Sequence, residues 1–241
     1  MRLTPEQHER FAHDGFLPYG RILEPEEVEP LRVEYDRVFV EAAAAGGLRN
    51  LSSDQEHPQM LQLMQVCERS LPFRRLLYDT RILDLVEDLI GPNIMLFHDQ
   101  ALLKPARTGG PIFWHQDNAY WRCSPPNLVS CWLTLDDAVR ENGAMQLLPG
   151  SHFRIHGHER SAEGSPLLRA DTEGAAEPVV VELPAGGCMF HHCQALHSTE
   201  PNTTDRPRRA FAMHFMAPGT RDLKGEIMRA GWARPLLRIS I

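Results

Sequence analysis

Long apolar runs are missing from this sequence. None of the apolar runs in the 241 residues approaches the roughly 20 residues that a membrane-spanning helix requires. The opening residues, MRLTPEQHERF, also lack the apolar stretch of a secretory signal. The sequence therefore predicts neither a membrane-spanning nor a secreted protein.

Cysteine pairs and basic runs are also missing. The five cysteines include no CxxC pair and their number is odd, which argues against a disulfide framework and favours reduced thiols in the cytoplasm. Lys plus Arg totals 25 against 32 for Asp plus Glu, a net charge of −7. An acidic chain without a basic run argues against nucleic acid or an anionic membrane as the main partner, so we expect a small molecule. Nothing in the sequence indicates the oligomeric state.

The composition is that of an ordinary globular protein, with 42% hydrophobic and 24% charged residues. The length is sufficient for one large domain with a proper core. We predict a single domain in three parts: a helical N-terminal layer over residues 1–92, a β core over residues 93–218 and a C-terminal tail over residues 219–241.

Helix signals dominate the first 92 residues. In TPEQHERFAHDG, Thr4 is placed as an N-cap, Pro5 as the first helical residue and Gln7 as the partner in a capping box. Residues 25–45 carry apolar side chains at helical spacing. TRILDLVEDLIGP begins at a Thr cap and ends at Gly91 and Pro92, which predicts another helix.

Short apolar runs separated by Pro and Gly turns follow Pro92. Examples are NIMLFHDQALLK, LVSCWLTL and RAFAMHFMAP. Runs of this length without helices between them predict an antiparallel sandwich or barrel. Residues 152–177 are interpreted as a long surface loop, and RPLLRISI near the end fits a short strand.

His115 and Asp117 stand two residues apart in GGPIFWHQDNAYW. In a strand, residues i and i+2 point to the same face, so both side chains would converge. Ionisable groups are costly to bury unless something compensates them. One imidazole and one carboxylate are two ligands of a 2-His-1-carboxylate Fe(II) site, although a hydrogen-bonded surface pair is the commoner reason for such a motif taken alone.

A third ligand would come from a distant strand. PAGGCMFHHCQALHSTEPN offers His191, His192 and His197, and the first two point to opposite faces of a strand, so at most one of them can join the pair. Arg208 follows His197 by eleven residues, at the start of the last strong strand.

These motifs together resemble the phytanoyl-CoA dioxygenase family of Fe(II)- and 2-oxoglutarate-dependent oxygenases. The family pattern is H-x-D, a long insert, then a His with an Arg eleven positions later. ENGAMQLLPGSH and DQALLKP are also similar to stretches of the family, and the similarity runs from about Phe97 to Phe215. The resemblance implies a double-stranded β-helix, a cupin-like jelly roll, so the predicted fold class is mainly β with N-terminal helices.

The resemblance also implies a role for each matching residue. Three residues would bind Fe(II), namely His115, Asp117 and His197. Arg208 would bind the distal carboxylate of 2-oxoglutarate, which suits a planar guanidinium. Thr199 would donate its hydroxyl to that carboxylate, Lys104 would add positive charge and Trp132 would wall the pocket. O₂ is the second co-substrate, and no catalytic group beyond the metal ligands is implied.

Each of these positions has a plainer alternative. Arg209 adjoins Arg208, and only the spacing chooses between them, since strand alternation predicts that one faces in and the other out. Lys104 would cap an exposed strand end, Trp132 would belong to the core and Thr199 would be an ordinary turn residue. Where family members often have Gly-Ser after the distal His, this chain has Ser-Thr, which keeps a hydroxyl at the second position.

A second histidine group occurs in GSHFRIHGH. His152, His156 and His158 look like a zinc cluster. However, they lie in the predicted loop without a carboxylate or Cys at ligand spacing, and we interpret them as surface histidines.

Strand alternation also predicts the substrate contacts. Along FHDQALLK, alternate residues share a face with Lys104 and should point toward the iron, and the residues after Asp117 would form the rim. The predicted contacts are His98, Gln100, Asn118, Tyr120 and Trp121. Packing under the N-terminal helices is the alternative for the last two, and Arg122 and His214 are weaker candidates.

The predicted reaction is hydroxylation of an unactivated C–H bond in a small or medium-sized metabolite, with release of succinate and CO₂. Desaturation, cyclisation and epimerisation use the same site and stay open, whereas halogenation is disfavoured because Asp117 occupies the position that halogenases leave without a carboxylate. The pocket residues suggest a secondary metabolite or a small amine. No basic cluster for the phosphates of CoA is evident.

Two other functions compete with this reading. A related cupin-like metal enzyme that does not use 2-oxoglutarate would have no need of Arg208 at its spacing. A non-catalytic binding module on the same jelly roll would have no need of an intact ligand triad.

Overall fold

A computed structural model describes residues 2–51, 59–161, 166–231 and 233–239. The helices in these ranges are α1 (Pro5–Asp14), α2 (Pro25–Ala44), α3 (Val66–Arg69), α4 (Leu71–Leu76), α5 (Thr80–Ile90) and α6 (Asp117–Trp121). The strands are β1 (Phe16–Arg21), β2 (Arg49–Asn50), β3 (Leu61–Met64), β4 (Ile94–Lys104), β5 (Ile112–His115), β6 (Val129–Thr134), β7 (Met145–Leu147), β8 (His158–Arg160), β9 (Leu168–Ala170), β10 (Val179–Val181), β11 (Gly187–His192), β12 (His197–Thr199), β13 (Arg208–Met216) and β14 (Leu236–Arg238).

The helix ends follow local side-chain chemistry. The predicted capping box of α1 is present, with Thr4 and Gln7 each bonding the other's backbone N–H. The predicted Thr cap of α5 is wrong by one residue, because Asp79 is the N-cap and its carboxylate accepts from the Arg81 N–H at 2.9 Å. A carboxylate at the N-cap is at least as favourable as a Thr hydroxyl.

The larger sheet has the strand order β1-β11-β6-β13-β4-β3-β2, with β14 also pairing with β4. All of its strand pairs are antiparallel. The long strand β13 lies between β4 and β6, which places Arg208 opposite Lys104, and His214 opposite both His98 and Ser130. Residues that are distant in the sequence thus form rows across one face of the sheet.

The smaller sheet has the order β10-β7-β12-β5. Apolar residues of both sheets, such as Trp132, Met189 and Leu147, form one buried cluster between them. Two four-stranded layers, β4-β13-β6-β11 and β10-β7-β12-β5, therefore pack face to face, which is the predicted jelly-roll core.

The N-terminal segment over residues 1–92 contains helices as predicted, but it also contributes β1, β2 and β3 to the larger sheet. The short strand predicted in RPLLRISI is present as β14, which pairs with β4. β1 forms an edge and its register shifts between Pro18 and Gly20. Proline is tolerated in a strand at the edge of a sheet. Pro18 also interrupts the alternating sequence pattern by which a strand is predicted.

The loop predicted for residues 152–177 contains a two-stranded hairpin. β8 and β9 pair with His158 opposite Ala170, while residues 162–165 lie outside the described residues. Strands of three residues are too short to show a periodic pattern.

The helices cover the outer face of the larger sheet. A continuous apolar cluster joins α2, α4 and α5 to outward-facing residues of the central strands, including Cys131, Phe190 and Phe211. The ring of Phe211 packs against that of Phe73 of α4, with the centroids 4.8 Å apart and the ring planes tilted by 58°. The opposite, inner face of the larger sheet therefore faces the smaller sheet.

Two predictions from the sequence concern membrane-spanning helices and the state of the cysteines. Among the described residues, no helix combines the length and the apolar character needed to cross a bilayer. All five cysteines are buried and free, in agreement with the prediction of reduced thiols.

Candidate metal centre

The H-x-D motif lies where the chain leaves a strand and begins a helix. β5 ends at His115, Gln116 is the N-cap and Asp117 is the first residue of α6. The expectation that His115 and Asp117 occupy one strand is therefore wrong, and the turn brings the carboxylate to the imidazole. Gln116 is buried, and its side-chain amide donates to the carbonyls of Arg154 and Gln194 at 2.8 and 2.6 Å. These bonds hold the turn in place.

His197 reaches the same place from a neighbouring strand. β12 pairs with β5 so that His197 lies directly opposite His115, and their ring centroids are 4.2 Å apart. Opposite residues of an antiparallel pair project to the same face. The register thus joins two residues that are 82 positions apart in the chain.

The three side chains present one ligand atom each to a common point. The Nδ1 atoms of His115 and His197 lie 2.7 and 3.0 Å from the carbonyl oxygens of Phe113 and Ala195, so each Nε2 is free. Both Nε2 atoms are 3.7 Å from Oδ1 of Asp117. The three ligand atoms lie within 4.8 Å of one another, and this is the only such group among the described residues. The donor set fits the 2-His-1-carboxylate arrangement of Fe(II).

Burial sets the protonation of these ligands. It lowers the pKa of His115 below its ordinary value and that of His197 to about 3, so both imidazoles are neutral near pH 7. Burial alone would raise the pKa of Asp117, but the His197 ring and the hydrogen bond from His191 lower it below its ordinary value. Neutral imidazoles and an ionised carboxylate are the forms that bind a metal.

Two buried basic side chains lie together at one end of the cavity, Arg208 in its lining and Lys104 behind Thr199. The Arg208 guanidinium and the Lys104 ammonium occupy opposite positions of β13 and β4 and are almost fully buried. Neither forms an ion pair with any described residue. Burial, together with the neighbouring Arg208 charge, lowers the pKa of Lys104 to about 6, and burial lowers that of Arg208 to about 10, so Lys104 is fully charged near pH 7 only when an anion lies beside the pair. Like charges opposite each other are unfavourable in a sheet, so the pair would be stabilised by an anion.

The surroundings of these cations leave donor atoms available. Arg208 donates one bond, to the Gly143 carbonyl at 2.7 Å, and its Nε has no partner among the described residues. The Trp132 ring packs against the guanidinium at 5.1 Å. Lys104 donates to Thr199 Oγ1 at 2.8 Å, and this hydroxyl therefore keeps its own proton for another acceptor. Arg208, Trp132 and Thr199 all line the cavity.

Arg209 takes the other face of the strand. It pairs with Asp136 at 3.0 Å and with Asp36 at 3.0 Å on the helix side of the sheet. The predicted alternation is confirmed, with Arg208 turned inward and Arg209 outward. The alternative of Lys104 as an exposed strand cap is wrong because the side chain is buried.

A cavity of about 830 Å³ connects the metal ligands, Arg208 and the rim. Four of the predicted substrate contacts line it, namely His98, Gln100, Tyr120 and Trp121. Trp121 packs against Phe97, His98 and His214 rather than under the N-terminal helices. The volume lies within the range of pockets that hold drug-sized ligands.

Two predicted contacts are placed elsewhere. Asn118 is wrong as a pocket residue, because its amide bonds the backbone of Cys123 and closes the turn after α6. Arg122 is exposed with left-handed backbone and does not line the cavity. The weaker candidate His214 does line it.

A chain of hydrogen bonds crosses the cavity wall over four adjacent strands. Gln62 on β3 donates to Gln100 on β4. The Gln100 amide donates to His214 Nε2 at 2.9 Å, so the proton of that ring lies on Nδ1, which donates to Ser130 Oγ at 2.6 Å. Burial lowers the pKa of His98 to about 4 and that of His214 below its ordinary value. This wall is therefore polar but uncharged near pH 7.

Of the three histidines of GSHFRIHGH, which are predicted to lie at the surface, only His156 is buried, and His152 and His158 are partly exposed. His156 is buried and its backbone N–H donates to Gln116, while His158 Nε2 accepts from the backbone N–H of Gln116 at 3.0 Å. They brace the H-x-D turn from outside. No zinc cluster is formed by His152, His156 and His158 among the described residues.

Sequence reasoning missed several residues of the site. His191 was considered as a possible ligand only, yet it lines the cavity and contacts Asp117. Gln62, Met60 and Met64 line it from the region of β3. The alternation in QMLQLMQV was a weak signal for that strand.

The chain is similar in sequence to known dioxygenases. The family model for phytanoyl-CoA dioxygenase (PhyH) matches residues 11–210. The chain is 25% identical over 232 residues to the probable alpha-ketoglutarate-dependent hypophosphite dioxygenase of Stutzerimonas stutzeri, covering 91% of this chain and 81% of that protein. It is 26% identical over 244 residues to the peroxisomal phytanoyl-CoA dioxygenase of Homo sapiens, covering 92% and 72%.

A solved structure shows the same similarity. The epimerase SnoN from nogalamycin biosynthesis, in complex with Fe³⁺, alpha ketoglutarate and nogalamycin RO, is 25% identical. It superposes with a TM-score of 0.79 over 97% of this chain and 98% of that chain. The jelly-roll prediction agrees with this likeness.

Proposed function

The chain belongs to the phytanoyl-CoA dioxygenase family of Fe(II)- and 2-oxoglutarate-dependent dioxygenases, and from this premise we propose that it hydroxylates an uncharged, medium-sized metabolite. In this proposal His115, Asp117 and His197 bind Fe(II). The co-substrates are 2-oxoglutarate and O₂, and the products include succinate and CO₂.

The observation that carries this proposal is the pair of buried cations without an ion-pair partner. A dicarboxylate that reaches from the metal ligands to Arg208 would compensate both charges, and it would use the free Nε of Arg208. Charge-assisted hydrogen bonds of this kind contribute about 1.5–3 kcal/mol. An enzyme or binding module that did not use 2-oxoglutarate would leave the cations uncompensated.

The residues around the cation pair have separate tasks. Arg208 binds the distal carboxylate, and Trp132 keeps its guanidinium plane in position. Lys104 donates to Thr199, which turns the Thr199 hydroxyl proton toward the same carboxylate. When bound, Fe(II) would supply open coordination positions for the 2-oxo acid and O₂ and would activate O₂, which is the oxidant that breaks the C–H bond.

The rest of the cavity supports an uncharged substrate. Its charged lining residues among those described are Arg49, Asp117 and Arg208. The last two are used for the metal and the co-substrate, and Arg49 is exposed to solvent. An amine would find no free carboxylate there, which disfavours the amine half of the hypothesis from sequence. Met60, Leu102 and Trp121 would hold an apolar body, and the amides of Gln62 and Gln100 would bind a hydroxyl or carbonyl group.

The first experiment measures 2-oxoglutarate affinity and turnover. We expect Fe(II)-dependent release of succinate, and binding of 2-oxoglutarate to the anaerobic Fe(II) protein by calorimetry. Arg208→Ala should weaken this binding about 10- to 150-fold, from the loss of a charged hydrogen bond. The matched control is Arg209→Ala on the opposite face, which should change it less than about threefold. Equal effects of the two variants would contradict the assignment of Arg208.

The second experiment tests the substrate class. Succinate release is measured with matched sets of compounds in which one skeleton carries a hydroxyl, an amine or a carboxylate, together with acyl-CoA esters. Only the neutral members should stimulate release above the rate without substrate. Stimulation by acyl-CoA esters or amines alone would contradict an uncharged substrate.

A cytoplasmic location stays a prediction, supported by the five free cysteines.

A further inference from the structure

His191 is a buried histidine that the proposed ligand set does not use. It lies on the inner face of β11, opposite Ser130 of β6 and Phe16 of the edge strand β1, and only 2% of its surface is exposed. Its ring centroid is 4.9 Å from that of His197. An imidazole in this position needs a hydrogen-bond partner, because buried polar groups are costly when unpaired.

That partner is the carboxylate of Asp117. His191 Nε2 lies 3.2 Å from Oδ2 of Asp117, while Oδ1 is the oxygen that faces His115 and His197. The Nδ1 atom of His191 has no partner among the described residues. The hydrogen bond to an ionised carboxylate requires a proton on Nε2, so His191 is the donor.

We propose that His191 is a positioning residue that keeps Asp117 a one-oxygen ligand. This inference rests on the proposed function. By binding Oδ2, His191 fixes the rotation of the carboxylate and leaves only Oδ1 to the metal. A carboxylate free to bind through both oxygens would occupy a position that the 2-oxo acid or O₂ needs.

The competing role for His191 is that of a fourth ligand. The geometry argues against it, because the group of ligand atoms within 4.8 Å of one another contains His115, Asp117 and His197 but not His191.

The test compares three variants by their affinity for Co(II) and Fe(II) alone, measured anaerobically by calorimetry without 2-oxoglutarate. His191→Phe keeps a ring but removes the donor. His191→Gln keeps an N–H donor, and His192→Phe changes the neighbour that does not line the cavity. Partners that orient a ligand affect metal affinity about 10- to 100-fold when removed. We expect a loss of that size in His191→Phe, recovery to within about fivefold in His191→Gln and a change below about threefold in His192→Phe.

The visible spectrum of the Co(II) protein separates the two roles. A positioning residue leaves one Co(II) per chain and gives His191→Gln the spectrum of the unchanged protein. A fourth ligand would give a changed spectrum and no recovery, and either result overturns the proposal. Unchanged affinity in His191→Phe overturns it as well. Should that variant fail to fold by circular dichroism, His191→Leu takes its place. A parent protein that binds neither ion would instead overturn the proposed function.

Discussion

The two faces of the strands β11, β6, β13 and β4 have opposite characters. On the face toward the helices, β13 places Phe211, Met213 and Phe215 in the apolar cluster with α2, α4 and α5. On the face toward the smaller sheet, the same strand places Arg208 and His214 in the cavity, with Ala212 between them. Alternate residues of one strand thus serve either the core or the site.

Different side chains of the same strands therefore stabilise the fold and form the proposed site. Successive residues of a strand point to opposite faces of the sheet. A substitution on one face therefore does not alter the side-chain contacts made on the other face. Small residues on the inner face, Ala210 and Ala212, leave the room that the cavity needs. Polar groups also occur on the helix side, and among them Asp99 is buried and accepts from the Cys67 N–H at 3.0 Å.

The largest effect should come from removing a proposed ligand on the inner face. Asp117→Ala and His197→Ala are each expected to lose Fe(II)-dependent succinate release entirely, because two ligands do not hold the ion in place. Thermal unfolding should stay close to that of the parent, with the exposed His13→Ala as the control. Full activity in either variant would refute the ligand assignment.

The outer face should show the reverse behaviour. Phe211→Ala is expected to lower the free energy of unfolding by about 3–5 kcal/mol, as for other buried Phe side chains. The folded fraction should keep its affinity for 2-oxoglutarate within about twofold. Val40→Ala, at an exposed position of α2, should change stability by less than about 0.5 kcal/mol. A large loss of affinity in folded Phe211→Ala would show that the two faces are not separable.

Asp99 is one place where the outer face departs from its apolar character. Burial raises the pKa of this carboxyl to about 6, so the native state holds its proton more tightly than the unfolded chain. That stabilisation is complete below about pH 4 and is lost as the pH rises through 6. Asp99→Asn removes the buried charge and keeps an acceptor for Cys67.

We therefore expect Asp99→Asn to match the parent near pH 4 and to exceed it above pH 7 by up to about 3 kcal/mol, the equivalent of two pKa units. Urea unfolding of both proteins from pH 4 to pH 8 measures this difference. A constant difference across the range would show that the pKa of Asp99 is the same in the folded and the unfolded chain.

The smallest effect is expected at Lys104, which lies behind Thr199 rather than in the cavity lining. Lys104→Met should weaken 2-oxoglutarate binding about tenfold, the loss of about 1.4 kcal/mol, because Thr199 loses its donor and the carboxylate loses a nearby charge. The exposed Lys224→Met is the matched control. An unchanged affinity would assign to Lys104 a role in folding alone, through its bonds to the carbonyls of Gly110 and Glu200.

Much of the site could be predicted before the structure. His115 and Asp117 stand out as an H-x-D pair, whereas His197 and Arg208 follow from the resemblance to the family pattern, and the structure brings all four to one cavity. Strand alternation also predicted that Arg208 and Arg209 face opposite sides. The same reasoning was wrong for Asn118, because it assumed that the chain stays extended after Asp117 whereas it turns into α6.

Residue types and the two-residue period of a strand are enough to indicate which chemical groups the chain offers and which residues of one strand share a face. Which distant strands lie next to each other is a property of the tertiary structure. The pairing of β12 with β5 brings His197 to His115, and the position of β11 in the larger sheet brings His191 to Asp117. These contacts depend on sheet order and register, which no local spacing encodes.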